Sequence, residues 1–339
     1  MFKDFLSSFY GAPLPKKLAI ASLLSMGIVA SAQTYPTFTE VTETSATLAT
    51  QASPALAPSP TLFVTGGQTV GMAYVDSSSG CVEISYSNNG YNFIQTYGTP
   101  ICPGKDVTVA ATYIPQSGDT VVAYVANGVL YTSTSTDGIN FGNAQIGPEI
   151  AAQLTVAPTG RPSMVPYGSS VLLTYASGTG IYVTIGSVPA NSYYDSFSPS
   201  VQIGSSYPAS SNPTLTPFGT GSALVWCTGT GFPVVAILPG TNPTSPTSVT
   251  ETTADEVGGD PAPVAYKGNL FIFGRSYYSA DNLWAIGTPN GIQFPEPAQK
   301  YGATLTHSPS FVTWGSGSYL TGAGRSNYGS NIWDYFASY

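Results

Sequence analysis

The stretch YTSTSTDGINFG, Tyr131 to Gly142, reads as a strand of alternating residues, a tight turn at Asp137-Gly138 and the start of a returning strand. Asp-Gly between residues of high β-propensity is a strong local hairpin signal, because the turn needs a positive φ that glycine supplies without strain. The pattern recurs. ISYSNNGYNFIQ (Ile84 to Gln95) stands 48 residues earlier and LWAIGTPNGIQFPE (Leu283 to Glu296) 153 residues later, with glycines at 90, 138 and 291 and a phenylalanine three positions on. A separation of 153 is close to three units of 51, so a unit of about 50 residues repeats along the chain.

A second segment repeats with it, at residues 59–76, 106–126, 161–177, 212–229, 260–276 and 308–326. Five of these six copies open at or next to a proline, and each holds two strands joined by a glycine-containing turn. Proline is tolerated there because a strand's first residue loses little by lacking an N–H. The aromatic hairpin supplies a third and usually a fourth strand to each unit. Six four-stranded units predict an all-β, six-bladed β-propeller, in which repetition about an axis leaves only short edges exposed. The final NIWDYFASY aligns with NLWAIG of the preceding unit, so the chain ends after the third strand of its last blade. The missing outer strand is expected from the N-terminal side, within Phe38 to Ala52.

Composition agrees with this reading. Only 8% of the 339 residues are charged, and 23 Tyr and 15 Phe require a packed interior, which excludes disorder. Lys16 and Lys17, the apolar run Leu18 to Val29 and the small residues Ala30-Ser31-Ala32 have the layout of a secretory signal peptide over residues 1–32. That run is too short to span a bilayer, so a secreted or cell-surface protein is expected, with residues 33–339 forming one propeller domain. Its removal discards Lys3, Lys16, Lys17 and Asp4 and leaves 6 basic and 16 acidic residues, a net charge of −10. Such a surface repels a phosphate backbone and excludes nucleic acid as a partner. Cys81 and Cys102 flank the first hairpin almost symmetrically and are expected to form a disulfide, whereas Cys227 in ALVWCTG reads as a buried apolar residue. With a single histidine and no CxxC, no metal site or cofactor is expected.

The aromatic hairpins resemble those of sialidase-like (Asp-box) propellers and of propeller-fold glycoside hydrolases acting on furanosides. Ser135, Asp137, Gly138 and Phe141 carry the likeness, with Ser87, Asn89, Gly90 and Phe93 in the first unit and Pro289, Asn290, Gly291 and Phe294 in the fifth. Asp137 adjoins its glycine, whereas the usual box puts the aspartate two positions before it. The resemblance implies a fold and almost nothing about catalysis. It also implies that sugar binds on the face bearing the second-to-third turns and the connections between blades.

Most of the scarce charge maps to that face. Arg161 opens a blade, Lys105 lies between blades, and Arg275 and Arg325 occupy equivalent turns, with Asp76, Asp106, Asp255, Glu256, Asp260, Asp281 and His307 nearby. Two readings stand. Charges gather in loops generally. Alternatively, Arg161, Arg275 and Arg325 hold a hydroxyl-rich or acidic ligand while Tyr277 and Tyr278 stack on sugar faces and His307 contributes a polar contact. Hydrolysis needs two carboxylates, for which Asp260, Glu256 and Asp106 are the candidates. The Arg-Ile-Pro motif of sialidases is absent. Three functions therefore follow from the sequence: non-catalytic recognition of extracellular carbohydrate, glycoside hydrolysis, and self-association in an envelope or matrix.

Overall fold

The computed structural model describes residues 34–38, 40–47, 59–66, 68–76, 78–96, 98–99, 101–104, 107–141, 154–187, 196–252, 256–276, 282–294, 297–305, 308–325 and 331–338. The expected signal peptide, Asp106, Tyr277, Tyr278 and His307 lie outside the described residues. Every named element is a β-strand, and none of the described segments is a helix long and apolar enough to cross a membrane.

The described strands fall into six antiparallel sheets. After β1 (Glu40–Thr47), the first sheet holds β2 (Thr61–Val64), β3 (Val70–Val75), β4 (Val82–Ser87) and β5 (Ile94–Gln95), paired in that order. The second holds β6 (Val109–Ile114), β7 (Asp119–Ala126) and β8 (Val129–Ser135). The third runs β9 (Ser163–Tyr167), β10 (Ser170–Ser177) and β11 (Gly180–Ser187), and both β12 (Ser196–Phe197) and β13 (Val201–Ile203) pair with β11. The fourth comprises β14 (Thr214–Phe218), β15 (Gly221–Cys227), β16 (Pro233–Leu238) and β17 (Ser248–Glu251). In the fifth are β18 (Val257–Tyr266), β19 (Asn269–Ser276), β20 (Asn282–Thr288) and β21 (Gln299–Thr304). The last is β22 (Ser310–Trp314), β23 (Tyr319–Arg325) and β24 (Asn331–Ser338), with β1 antiparallel to β24 as its outer strand. Five sheets thus hold four strands or more, and the second shows three among the described residues.

The core lies between the sheets. Six apolar clusters are each shared by neighbouring sheets, and the one made by Leu62, Val70, Met72 and Tyr74 with Trp314 and Ala323 joins the first sheet to the last. This is a β-propeller. Strands buried on both faces explain why β3 reads VGMAYV and β15 ALVWC, apolar runs without alternation. Ahead of β1, Tyr35 and Phe38 pack on Phe271, Phe273, Tyr301 and Phe311, and Tyr301 Oη donates to Pro36 O at 2.9 Å.

The hairpins show why their sequence repeats. Asp137 Oδ1 accepts from Ser135 Oγ (2.8 Å) and from the N–H groups of Ile139 (2.9 Å) and Asn140 (2.8 Å). Asn89 is held by Ser87 and by the N–H groups of Tyr91 and Asn92 in the same way, and Asn290 by Thr288, Ile292 and Gln293. In the fifth unit the hydroxyl comes from Thr288, so the position matched above to Pro289 is one residue off. Two of the three glycines serve the ring as well as the turn. Gly138 sits at φ 74°, and a Cβ there would lie 2.3 Å from Tyr86 Oη of the preceding sheet, which donates to Gly138 O at 2.9 Å. Gly291 is at φ 73°, and a Cβ there would overlap Ile237 Cδ1 of its preceding sheet. Cys81 and Cys102 are disulfide-bonded beside the antiparallel bridge of Val82 and Ile101, and Cys227 is a buried thiol that burial pushes up to about 12, with the hydrogen bond from Ser211 opposing.

Candidate functional site

The innermost strands β2, β6, β9, β14, β18 and β22 surround the propeller axis and enclose a cavity of about 340 Å³. One end of this barrel of strands is set by the residues that begin them. There the chain does something the repeat hides when read one unit at a time: equivalent residues of successive sheets bond to one another. Asp260 N–H donates to Ser308 Oγ at 2.7 Å. Asn212 N–H donates to Asp260 Oδ1 at 2.8 Å, and its Nδ2 reaches Oδ1 at 3.2 Å and Oδ2 at 3.0 Å. Arg161 N–H donates to Asn212 Oδ1 at 3.0 Å. Ser308, Asp260, Asn212 and Arg161 stand 48, 48 and 51 residues apart, one repeat each, so the four form a belt across the sixth, fifth, fourth and third sheets.

Proline follows each belt residue, and the belt bonds use the last free N–H before it. Asp260 fits because β18 carries a bulge between Gly258 and Ala262, where Gly259 takes φ 104° and lets the backbone pass Ser308 Oγ. Arg161 continues the belt across the axis, its Nη2 donating to Thr61 Oγ1 at 2.8 Å and to Pro60 O at 3.4 Å. Thr61 Oγ1 in turn donates to Val109 O at 2.7 Å, bringing in the first and second sheets.

Two residues further along the inner strands lies a collar of hydroxyls. Thr61, Ser163, Thr214 and Ser310 occupy the same position of four inner strands and all line the cavity; the other two strands have Val109 and Ala262 there. Ser310 Oγ accepts from Leu62 N–H and Ser163 Oγ from Leu215 N–H, both at 3.0 Å, so these hydroxyls also stitch neighbouring sheets.

Of the residues singled out from sequence, the structure thus brings Arg161 and Asp260 together, but in the belt. Arg161 is 8% exposed, and burial lowers its pKa from the usual guanidinium range while the Asp260 charge opposes that shift. Glu256 is half-buried just ahead of β18. Arg275 and Arg325 stand at the matching ends of the second strands of the fifth and sixth sheets, each two residues beyond the partner of a collar-level residue, Phe273 opposite Ala262 and Ala323 opposite Ser310. Both are half-buried, and burial lowers Arg325 from its ordinary value. Asp76 caps its own turn: burial pushes its carboxyl up, but the hydroxyls and N–H groups of Ser78 and Ser79 outweigh that and hold it at about 2.

Sequence reasoning missed Asn212 and the collar. The signal was available, since a polar residue before proline and a hydroxyl after it recur at repeat spacing.

No protein-family model and no curated protein matches the chain. Solved structures do. A protein of unknown function from Dyadobacter fermentans superposes with a TM-score of 0.59 at 12% identity, covering 89% of this chain and 98% of that one. The NanB sialidase from Streptococcus pneumoniae gives 0.62 at 8% identity, covering 88% and 70%. The fold is a sialidase-like β-propeller. The fucose-specific lectin from Aleuria aurantia gives 0.54 at 9% identity over 81% of this chain and 90% of the lectin, so the sialidase-like propeller shares its architecture with a sugar-binding protein as well as an enzyme. At these identities the likeness extends to the fold alone.

Proposed function

We propose that the protein is an exported, six-bladed propeller, closed by β1 on the last blade, that recognises an extracellular carbohydrate without cleaving it. The observation that carries this reading is the fate of Asp260. A glycosidase of the usual kind needs two carboxylates free to exchange protons or attack an anomeric carbon. Asp260 is the candidate at the end where the inner strands begin, yet both its oxygens accept from Asn212 at 2.8 to 3.2 Å and its N–H is tied to Ser308, which makes it a member of the ring's scaffold. What the same end offers a ligand is cationic: Arg275 and Arg325, on adjacent sheets and at equivalent strand ends, are placed to hold sugar hydroxyls or a carboxylate. The propeller neighbours, a fucose lectin and a sialidase among them, make sugar the natural ligand class. Tyr277, Tyr278 and His307 remain part of the proposed face by their place in sequence.

A glycan array probed with the labelled protein tests the reading. Retention of a defined set of intact glycans supports it. Trimming of array glycans would move the assignment to a glycoside hydrolase and make Glu256 and Asp106 the next residues to substitute. Silence across the array together with a large scattering mass would favour a self-associating envelope or matrix protein.

A further inference from the structure

The Arg161 guanidinium is a buried cation, and three of its five N–H donors have no acceptor among the described residues. Its two protein acceptors, Thr61 Oγ1 and Pro60 O, both take hydrogens from Nη2, and neither Nε nor Nη1 has an acceptor among the described residues. No described carboxylate is within ion-pairing distance; Asp260, the nearest charge to act on it, is turned to Asn212. A buried charge is normally paired, because desolvating it alone costs several kcal/mol. Here the charge lines a cavity of about 340 Å³, the size of a small-molecule site, at the level of the hydroxyl collar. The collar supplies further donors. Ser163 and Ser310 accept backbone N–H bonds and keep their hydroxyl hydrogens to give, and the Thr214 hydroxyl makes no hydrogen bond to any described residue.

We propose that Arg161 and the collar hydroxyls of Ser163, Thr214 and Ser310 form an internal anion site on the propeller axis, which takes a small monovalent anion of the carboxylate type. An anion there receives charge-assisted bonds from Nε and Nη1 and neutral ones from up to three hydroxyls converging from separate blades. Its charge supplies the ion pair the guanidinium lacks. The chain is acidic overall, with a net charge of −8, so selectivity for an anion has to come from these fixed donors and not from the general field. The site stands apart from the proposed glycan face, since it needs none of Arg275, Arg325 or the loop tyrosines. The carboxylate could arrive as a free small anion or on an acidic sugar, and the test separates these.

Thermal unfolding of the purified protein is followed in sodium formate, acetate and glucuronate at constant ionic strength, with glucose as the neutral control, alongside line broadening of 13C-formate in NMR. The expected result is a saturable rise in melting temperature with formate and formate broadening that excess acetate reverses. Arg161→Met should weaken formate at least about tenfold, the size of a lost charged hydrogen bond, and Thr214→Val about threefold with its anion-free melting temperature unchanged. Should Arg161→Met fail to fold, Thr214→Val and the formate signal decide the matter. Reversal of formate broadening by glucuronate would show that the site accepts the carboxylate of a sugar; formate binding without glucuronate competition would assign it to free anions. A response that never saturates, or that is the same in Thr214→Val as in the unaltered protein, would overturn the proposal.

Discussion

Replacing Asp260 distinguishes a scaffold from a catalyst. Its carboxylate accepts three bonds from Asn212, one from the backbone N–H and two from Nδ2, at 2.8, 3.2 and 3.0 Å. In Asp260→Asn the amide oxygen can keep the backbone bond and one Nδ2 bond, so the loss is the charge on those bonds and the third contact, about 1.5–3 kcal/mol. In Asp260→Ala the Asn212 N–H and Nδ2 both lose their acceptor in a half-buried place, for on the order of 3–5 kcal/mol. For a domain of about 300 residues that is a fall of roughly 5–8 °C in melting temperature. Urea unfolding followed by tryptophan fluorescence measures both. The belt also requires coupling: Asn212→Ala with Asp260→Ala should cost little more than the larger single change, because each removes the same bonds. Stability within about 0.5 kcal/mol of the parent in Asp260→Ala, with loss of a sugar-cleaving activity, would refute the reasoning and restore the residue to catalysis.

Other outcomes follow from the hairpins and the disulfide. The Asp137 carboxyl lies well below the usual range because the N–H groups of Asn140 and Ile139, the Asn140 side chain and the Ser135 hydroxyl all donate to it. A depressed folded value means its contribution is complete above about pH 4 and is lost as pH falls toward the folded value, so the urea midpoint of Asp137→Asn should lose less between pH 6 and pH 3 than that of the parent. The group is exposed, so screening keeps the effect small, about 1 kcal/mol, as for other side chains that cap backbone N–H groups. Gly138→Ala should cost at least about 1–2 kcal/mol for its φ of 74°. It should cost more until Tyr86→Phe removes the hydroxyl its Cβ would strike, which thermal denaturation of the single and double variants would show. Reducing the Cys81–Cys102 bond, which closes a separation of 21 residues, should remove about 3 kcal/mol, seen as a lower melting temperature with reductant that a Cys81→Ser, Cys102→Ser variant reproduces without it.

The fold was legible because its information is local and repeated. Asp137-Gly138 specifies a turn within four residues, and the repeat multiplies that signal. Counting strands leads to a partner for the last sheet within Phe38 to Ala52, and β1, Glu40–Thr47, lies in that segment and pairs with β24. The site was less legible because its geometry is circumferential. The repeat puts Arg161 and Asp260 at blade openings, but nothing within either segment says that Asn212, 48 residues before Asp260 and 51 after Arg161, bonds to both. Charge in a blade-opening position therefore looked like ligand chemistry when part of it is ring closure. Comparing equivalent positions across units would have revealed the belt and the collar, since Ser308, Asp260, Asn212 and Arg161 are each followed by proline and, in three of the four units, by a hydroxyl residue after it.

Saturation-transfer NMR of the purified protein with a mixed panel of neutral and acidic oligosaccharides tests sugar recognition most directly. The account predicts transfer to intact ligands, unchanged spectra after a day, and loss of transfer in Arg275→Ala and Arg325→Ala variants that near-ultraviolet circular dichroism shows to be folded. New product signals after a day, or transfer undiminished in both arginine variants, would contradict it.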